Sequence, residues 1–252
     1  GGKAGDGAWV CRELGKGGGG WRPVRRPELY AGDVFQTLAG GQGVALPATE
    51  VTRGLPAGAV LVEHASDDLP VILRDMMKYS TNMTAEAVGM AASLRRGVTD
   101  HVASAREMSG WLAARAGARS ARFADHSGLA GASRISPEDM VRALVTLGPK
   151  TPLRGLLKEI PFRDARGKAI RGYPVTVEAK TGTLNFVSTL AGYVRGPGNL
   201  DLAFAIMTGD VARRDSIPDS QKENPPGFRD WVKRSKRLQQ QLIERWAAVY
   251  GA

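Results

Sequence analysis

The chain has 252 residues, 42% hydrophobic and 24% charged, which suits one large globular core or a core with a subdomain. Its net charge of +10 is spread out, with local density at Arg22–Arg26, Arg95-Arg96 and Lys233–Arg237, and no nucleic-acid motif or row of aromatics accompanies it. Cys11 is the single cysteine and His64, His101 and His126 lack ligand spacing, which excludes an intrachain disulfide and gives no metal or cofactor signature.

Residues 1–21 are Gly-rich and read as an irregular lead-in, with Trp9-Val10-Cys11 as a strand remnant; no apolar run there or elsewhere is long enough for a signal h-region or a membrane span. Pro27 starts a helix whose Tyr30, Val34, Phe35 and Leu38 recur at helical spacing, and Gly40-Gly41 stops it. "AVLVEHAS" at 59–66 alternates as a short strand. Ser66 then caps a helix carrying Leu69, Ile72, Leu73, Met76 and Met77 on one stripe, and the stripe ends at "YSTN". A second helix, about Met83 to Arg96, turns Met83, Ala87, Met90, Ala91 and Leu94 inward; a third runs from about Asp100 to Ala116. Ser80 and Asn82 therefore fall at a helix junction.

"FADHSGLAGASRIS" is a turn-rich loop in which Asp125 and Ser127 suit an Asx-turn. Ser136 and Pro137 restart a helix, and Thr151-Pro152 opens a short one. The pattern then becomes β: "VTVEAKTGTL", "STLAGYVRG" and "LDLAFAIMTGD" predict a meander of three antiparallel strands, with Gly196–Asn199 as a hairpin turn. The last helix, 228–250, turns Trp231, Leu238, Leu242, Trp246 and Val249 inward. The fold class is α+β: a helical subdomain at about 66–160, then a sheet and closing helix at about 170–252.

Lys180-Thr181-Gly182 interrupts the first meander strand. A glycine in a strand marks close approach of another group to the backbone. With Lys180 for charge, the hydroxyls of Thr181 and Thr183, and bare N–H groups near Gly182, the strand rim has the parts to hold an extended peptide ending in a carboxylate. S-x-N at Ser80–Asn82 precedes K-T-G by about a hundred residues, helices around the first and strands around the second. That order, joined to S-x-x-K, is the signature of penicillin-binding proteins and class A β-lactamases.

"LRDMMKYSTNMTAEAVGM", "FADHSGLAGASRISPEDMVRAL" and "AKTGTLNFVSTLAGYV" resemble the class C, low-molecular-mass D-alanyl-D-alanine carboxypeptidases that also act as D,D-endopeptidases, peptidase family S13. The resemblance covers most of residues 22–250. It implies a β-lactamase/penicillin-binding-protein-like fold, with an antiparallel sheet flanked by helices, and a serine enzyme working through an acyl-enzyme on peptidoglycan stem peptides. β-Lactam binding and a periplasmic or other extracytoplasmic location go with it. It assigns Ser80, Asn82 and Lys180 to catalysis, and Thr181, Gly182 and Thr183 to substrate binding, without metal or cofactor. The departure is that no serine here is followed by lysine three positions on. The expectation is the C-terminal part of a longer D,D-peptidase, inactive without the nucleophile segment, which is absent or carried on another chain. A β-lactamase or esterase of the same fold, or a non-catalytic module for cell-wall peptides, are the alternatives. The basic surface suits anionic wall polymer or peripheral contact with membrane headgroups rather than nucleic acid.

Overall fold

The computed structural model describes residues 24–54, 57–222 and 224–251; the strand remnant at Trp9–Cys11 and the Gly-rich lead-in lie outside them. Two compact units divide at Ala65/Ser66. The first holds α1 (Pro27–Gly41), opened by proline in its first turn as expected. Val60, Leu61 and Val62, expected in a strand, form no regular structure and are exposed. No strand among the described residues pairs with them, and alternation alone does not hold a strand in water.

The second unit contains α2 (Leu69–Tyr79), α3 (Asn82–Leu94), α4 (His101–Ala116), α5 (Pro137–Leu147) and the short α6 (Leu153–Leu156). The sheet follows: β1 (Lys158–Glu159), β2 (Thr176–Leu184), β3 (Val187–Arg195) and β4 (Asp201–Gly209). The five-residue α7 (Val211–Asp215) and the long α8 (Phe228–Tyr250) close the chain. Asp100 and Ser136 cap α4 and α5 by accepting from the Ala103 and Asp139 N–H groups. At α2 the cap position falls to Asp68, two residues beyond the expected Ser66, because Pro70 fits only the first turn.

The three predicted strands form a regular antiparallel meander with the order β1-β2-β3-β4, and the two-residue β1 is an addition the sequence pattern did not signal. Val177 pairs with Val194 and Leu190 with Ile206, so one face of the sheet is a continuous apolar layer with Ala179 and Phe204. Ile243 of α8, 2% exposed, seals that layer. Tyr193 points to the opposite face, where its hydroxyl donates to the Leu144 carbonyl of α5 at 2.8 Å. The sheet is thus covered by α8 on one side and α5 on the other.

Two helices turn differently from the apolar pattern. In α8, Leu238 and Val249 are exposed, and the buried row is Ser235, Gln239 and Ile243 with Leu242 and Trp246 beside it. The cause is polar: the Gln239 side-chain amide donates to the Ser188 carbonyl (3.2 Å) and hydroxyl (3.1 Å) in a site where both residues are almost fully buried. In α3, Met83, Ala87 and Leu94 face solvent, whereas Ser93 is buried on Ser104 of α4. Hydrogen-bond satisfaction acts beside apolar packing in setting both rotations.

Gln239→Leu strands the buried Ser188 hydroxyl without its donor and is expected to cost about 1–3 kcal/mol. Adding Ser188→Ala should recover part of that loss, read as urea unfolding midpoints around the double-mutant cycle.

Candidate active site

Ser80 ends α2 in the left-handed region, φ 56° and ψ 49°, one of three described non-glycine residues with positive φ. Thr81 is then extended, and Asn82 is already the first residue of α3. This two-residue junction leaves Ser80 and Asn82 exposed at the helix ends. Local strain of this kind is stored where neighbouring structure holds it, and here the holding group comes from the sheet.

That group is Lys180. Its Nζ donates to Ser80 Oγ at 2.5 Å across a hundred residues of sequence, and to the adjacent Thr181 carbonyl at 2.6 Å. The two motifs predicted to meet therefore do meet, through one ammonium group. Burial pushes the Lys180 amine below the ordinary lysine range, and the positive charge of Lys158 on β1 pushes the same way. An amine that loses its proton more readily than usual, touching a serine hydroxyl, can take part in proton exchange with it.

β1 covers β2 only at Glu178 and Ala179, and the Ile160 N–H reaches the Val177 carbonyl just beyond. Strand alternation places the N–H and C=O groups of Thr181 and Thr183 on the same outer edge as those of Val177 and Ala179. Beyond Ala179 no strand pairs with that edge among the described residues. It is an open rim able to accept an extended peptide. The alternation also puts the Thr181 and Thr183 side chains, both exposed, on the α8 face, whereas Lys180 and Gly182 share the other. Gly182 has a packing reason that the sequence pattern did not reveal: a Cβ there would run into the hydroxyl of Thr189, its partner on β3. What approaches this glycine is a side chain of the protein itself.

The tip of β2 is anchored. Phe186, in the turn to β3 with φ 53°, is 1% exposed among Phe228, Trp231 and the Arg213 guanidinium, which sits 4.0 Å from its ring centre. The Asn185 side chain donates to the Lys222 carbonyl at 2.7 Å. Asn185 and Phe186 were not singled out from sequence; a bulky apolar residue in a two-residue hairpin turn is the signal that was present.

The helical side is anchored by Glu86, one turn after Asn82. Its carboxylate accepts from His101 Nε2 (2.8 Å), the His126 N–H (3.0 Å) and the Ser127 N–H (2.9 Å). Burial raises its pKa, but the hydrogen bonds from Ser127, His101 and His126 outweigh that and hold it at about 2. Behind it His126 Nε2 meets the fully buried Ser104 hydroxyl at 2.7 Å, and its ring lies against Gly89, where a Cβ would collide with it. Gly89 and Ser104 thus create a polar slot for the ring of His126, half-buried within its turn. Asp125 is structural as expected, accepting from Ser127, Ser133 and the Ala130 N–H.

The open clefts around Arg106 and Phe123, about 410 Å³, and around Pro226 and Arg229, about 470 Å³, contain none of the candidate residues. The Ser80–Lys180 pair lies outside both. No cluster of metal-ligating side chains occurs among the described residues, and no described helix is long and apolar enough to cross a membrane.

Residues 13–224 match the family model of the D-Ala-D-Ala carboxypeptidase 3 (S13) family. The chain belongs to this family. It is 31% identical over 213 residues to the D-alanyl-D-alanine carboxypeptidase of Actinomadura sp. (strain R39), covering 74% of this chain and 37% of that protein. To the carboxypeptidase DacB of Haemophilus influenzae it is 26% identical over 208 residues, covering 75% and 43%. The fold is similar to that of penicillin binding protein 4 (dacB) from Haemophilus influenzae, solved in complex with a β-lactam: TM-score 0.58, 21% identity, 87% of this chain and 52% of that one. A second structure of penicillin binding protein 4 from that organism gives 0.57 at 22% identity, covering 85% and 48%. The S13 chain described here spans well under half the length of the curated relatives it matches.

Glu86→Gln removes a carboxylate whose folded-state pKa lies below its unfolded value of 4.5. The stabilisation is present above about pH 4.5 and lost as pH falls through 2. With exposure to solvent discounted, the variant is expected to be less stable by about 1–2 kcal/mol at neutral pH. Urea midpoints measured from pH 2 to 7 should show the gap to the parent closing toward the acid end.

Proposed function

We propose that this chain is the C-terminal portion of a serine-type D-Ala-D-Ala carboxypeptidase and endopeptidase acting on peptidoglycan stem peptides through an acyl-enzyme. Its S-x-x-K serine and lysine would be supplied by polypeptide outside these 252 residues. The observation that carries the reading is the 2.5 Å contact between Lys180 and Ser80, which joins the S-x-N and K-T-G motifs at one open strand edge. The named relatives are D-alanyl-D-alanine carboxypeptidases, and one neighbour of the same fold holds a β-lactam. The exposed Tyr79 and Met83 on either side of Ser80 and Asn82 suit a rim that a further segment of the enzyme completes.

In this reading the supplied serine attacks the carbonyl between two D-alanines, forming the ester and releasing the terminal D-alanine as an amine. Ser80, bridged to Lys180, passes a proton toward that leaving nitrogen. Asn82 hydrogen-bonds the substrate amide. Lys180 provides positive field for the terminal carboxylate, and the Thr181 and Thr183 hydroxyls hydrogen-bond it at the rim beside Gly182. The Thr183 N–H, on the open edge of β2, is one oxyanion donor, and the N–H of the supplied serine is the other. Peptidoglycan lies outside the cytoplasm, so the proposed location is periplasmic or otherwise extracytoplasmic.

Fluorescent penicillin followed by intact-mass analysis tests this on protein purified from its source. The 252-residue chain alone should take no label, and polypeptide carrying the S-x-x-K serine should take one equivalent. Ser80→Ala in that active form should slow acylation by about 10²–10⁴-fold. Absence of label on every species would favour a non-catalytic wall-peptide module. Rapid β-lactam turnover without cleavage of a D-Ala-D-Ala peptide would favour a β-lactamase.

A further inference from the structure

Away from the rim, the β1–β2 connection forms a small basic hairpin. Arg163 bridges Ala169, the Asp164 N–H donates to the Lys168 carbonyl, and the Ile170 N–H donates to the Phe162 carbonyl. Phe162, 5% exposed and stacked on Tyr173 at 3.9 Å, roots the hairpin in the core. Asp164 is consumed in the turn, accepting from the Arg166 and Lys168 N–H groups. Arg166, Lys168 and Arg171 stand exposed.

This hairpin is fastened to α8. Gln240 exchanges two hydrogen bonds with the Arg163 backbone: its oxygen accepts from the Arg163 N–H and its amide donates to the Arg163 carbonyl, both at 2.9 Å. Arg229, Lys233 and Lys236 precede Gln240 at intervals of four, three and four residues, so they form one ridge leading to the hairpin, with neighbours about 5–6 Å apart. All three are exposed. The nearby acids neutralise little: Asp230 lies 3.9 Å from Lys233, and Glu244 accepts from Gln240.

We propose that this ridge and hairpin bind a linear, base-free polyol-phosphate polymer of the poly(glycerol phosphate) kind through its backbone charge, independently of the peptidase reading. A row of fixed cations along a helix, ending in a rigid cationic knob, matches a chain of regularly repeated anions. The surface offers little to the bases of a single strand or to a bilayer. The aromatic side chains Phe228, Trp231 and Trp246 of α8 are turned inward onto Phe186 and Phe204, leaving no stacking platform on the ridge for nucleic-acid bases. Most of the apolar stripe of α8 is spent on the sheet, and the exposed Leu238 and Val249, eleven residues apart, do not make the continuous apolar face that enters a bilayer.

The test is fluorescence anisotropy of the 252-residue chain with labelled synthetic poly(glycerol phosphate) at 50 to 200 mM salt. Binding should weaken linearly in log–log form with salt. R166Q/K168Q/R171Q should lower affinity by about tenfold or more at low salt and reduce the salt slope by about 2–3. K233Q/K236Q, made separately in case the first variant misfolds by circular dichroism, should act in the same direction. R95Q/R106Q/R119Q removes the same charge elsewhere and should change affinity less than about twofold. Equal losses in that control would overturn the proposal in favour of net charge alone. Tighter binding to single-stranded DNA of equal charge, or to anionic phosphatidylglycerol vesicles without polymer binding, would overturn it as well.

Discussion

Lys180 is the residue on which the arrangement depends. It is the point where a helix junction and a strand edge, a hundred residues apart in the chain, are tied by a single side chain. An ammonium group held between a hydroxyl and a carbonyl is satisfied as a donor, yet burial and the charge of Lys158 both disfavour its proton. A surface lysine would have neither property. The left-handed Ser80 is part of the same constraint: continuing α2 would carry its hydroxyl along the helix instead of presenting it at the junction.

The contact needs rigid mounts on both sides, and the two mounts work differently. On the sheet side, β2 is held by backbone pairing to β3 along its whole length and by Phe186, whose ring is locked among aromatic neighbours at the strand's tip. On the helical side, the first turn of α3 is held by charge-assisted hydrogen bonds, with Glu86 gathering His101 and the backbone of the 126–127 loop onto one carboxylate. Apolar packing fixes the strand and polar clamping fixes the helix. Beyond its short pairing with β1, the outer edge of β2 is left open between them among the described residues, and an open edge beside a perturbed amine is where an extended ligand gains most from both hydrogen bonding and charge.

What could be read from the sequence follows from how local each signal is. Helix starts at Pro27 and Ser136, the three long strands with the Gly196–Asn199 turn, and the meeting of Ser80 with Lys180 were legible, because caps, alternation and motif order are short-range or family-wide patterns. The two-residue β1 was not, since a strand that short has no period. The inward faces of α3 and α8 follow the apolar pattern only in part: Trp231, Leu242, Trp246 and Met90 turn in, whereas Leu238, Val249, Met83 and Leu94 do not. Ser93 with Ser104, and Gln239 with Ser188, turn inward because each finds a partner far along the chain. The slot for His126 and the covering of Gly182 by Thr189 belong to the same class: the deciding partner is 37 residues from the histidine in one case and across a strand pair in the other. The exposed apolar stretch at 60–62 shows the reverse failure, a β pattern with no partner strand among the described residues to complete a sheet.

The most direct measurement is proximity of the two motifs in solution, by nuclear Overhauser contacts in the selectively labelled chain. Cross-peaks between the Lys180 Cε protons and the Ser80 Cβ protons are predicted, together with the Gly182–Thr189 contacts of the β2–β3 pair. Persistence of the strand-pair contacts with no Lys180–Ser80 cross-peak would mean that the sheet forms while the two motifs stay apart, and would contradict the account.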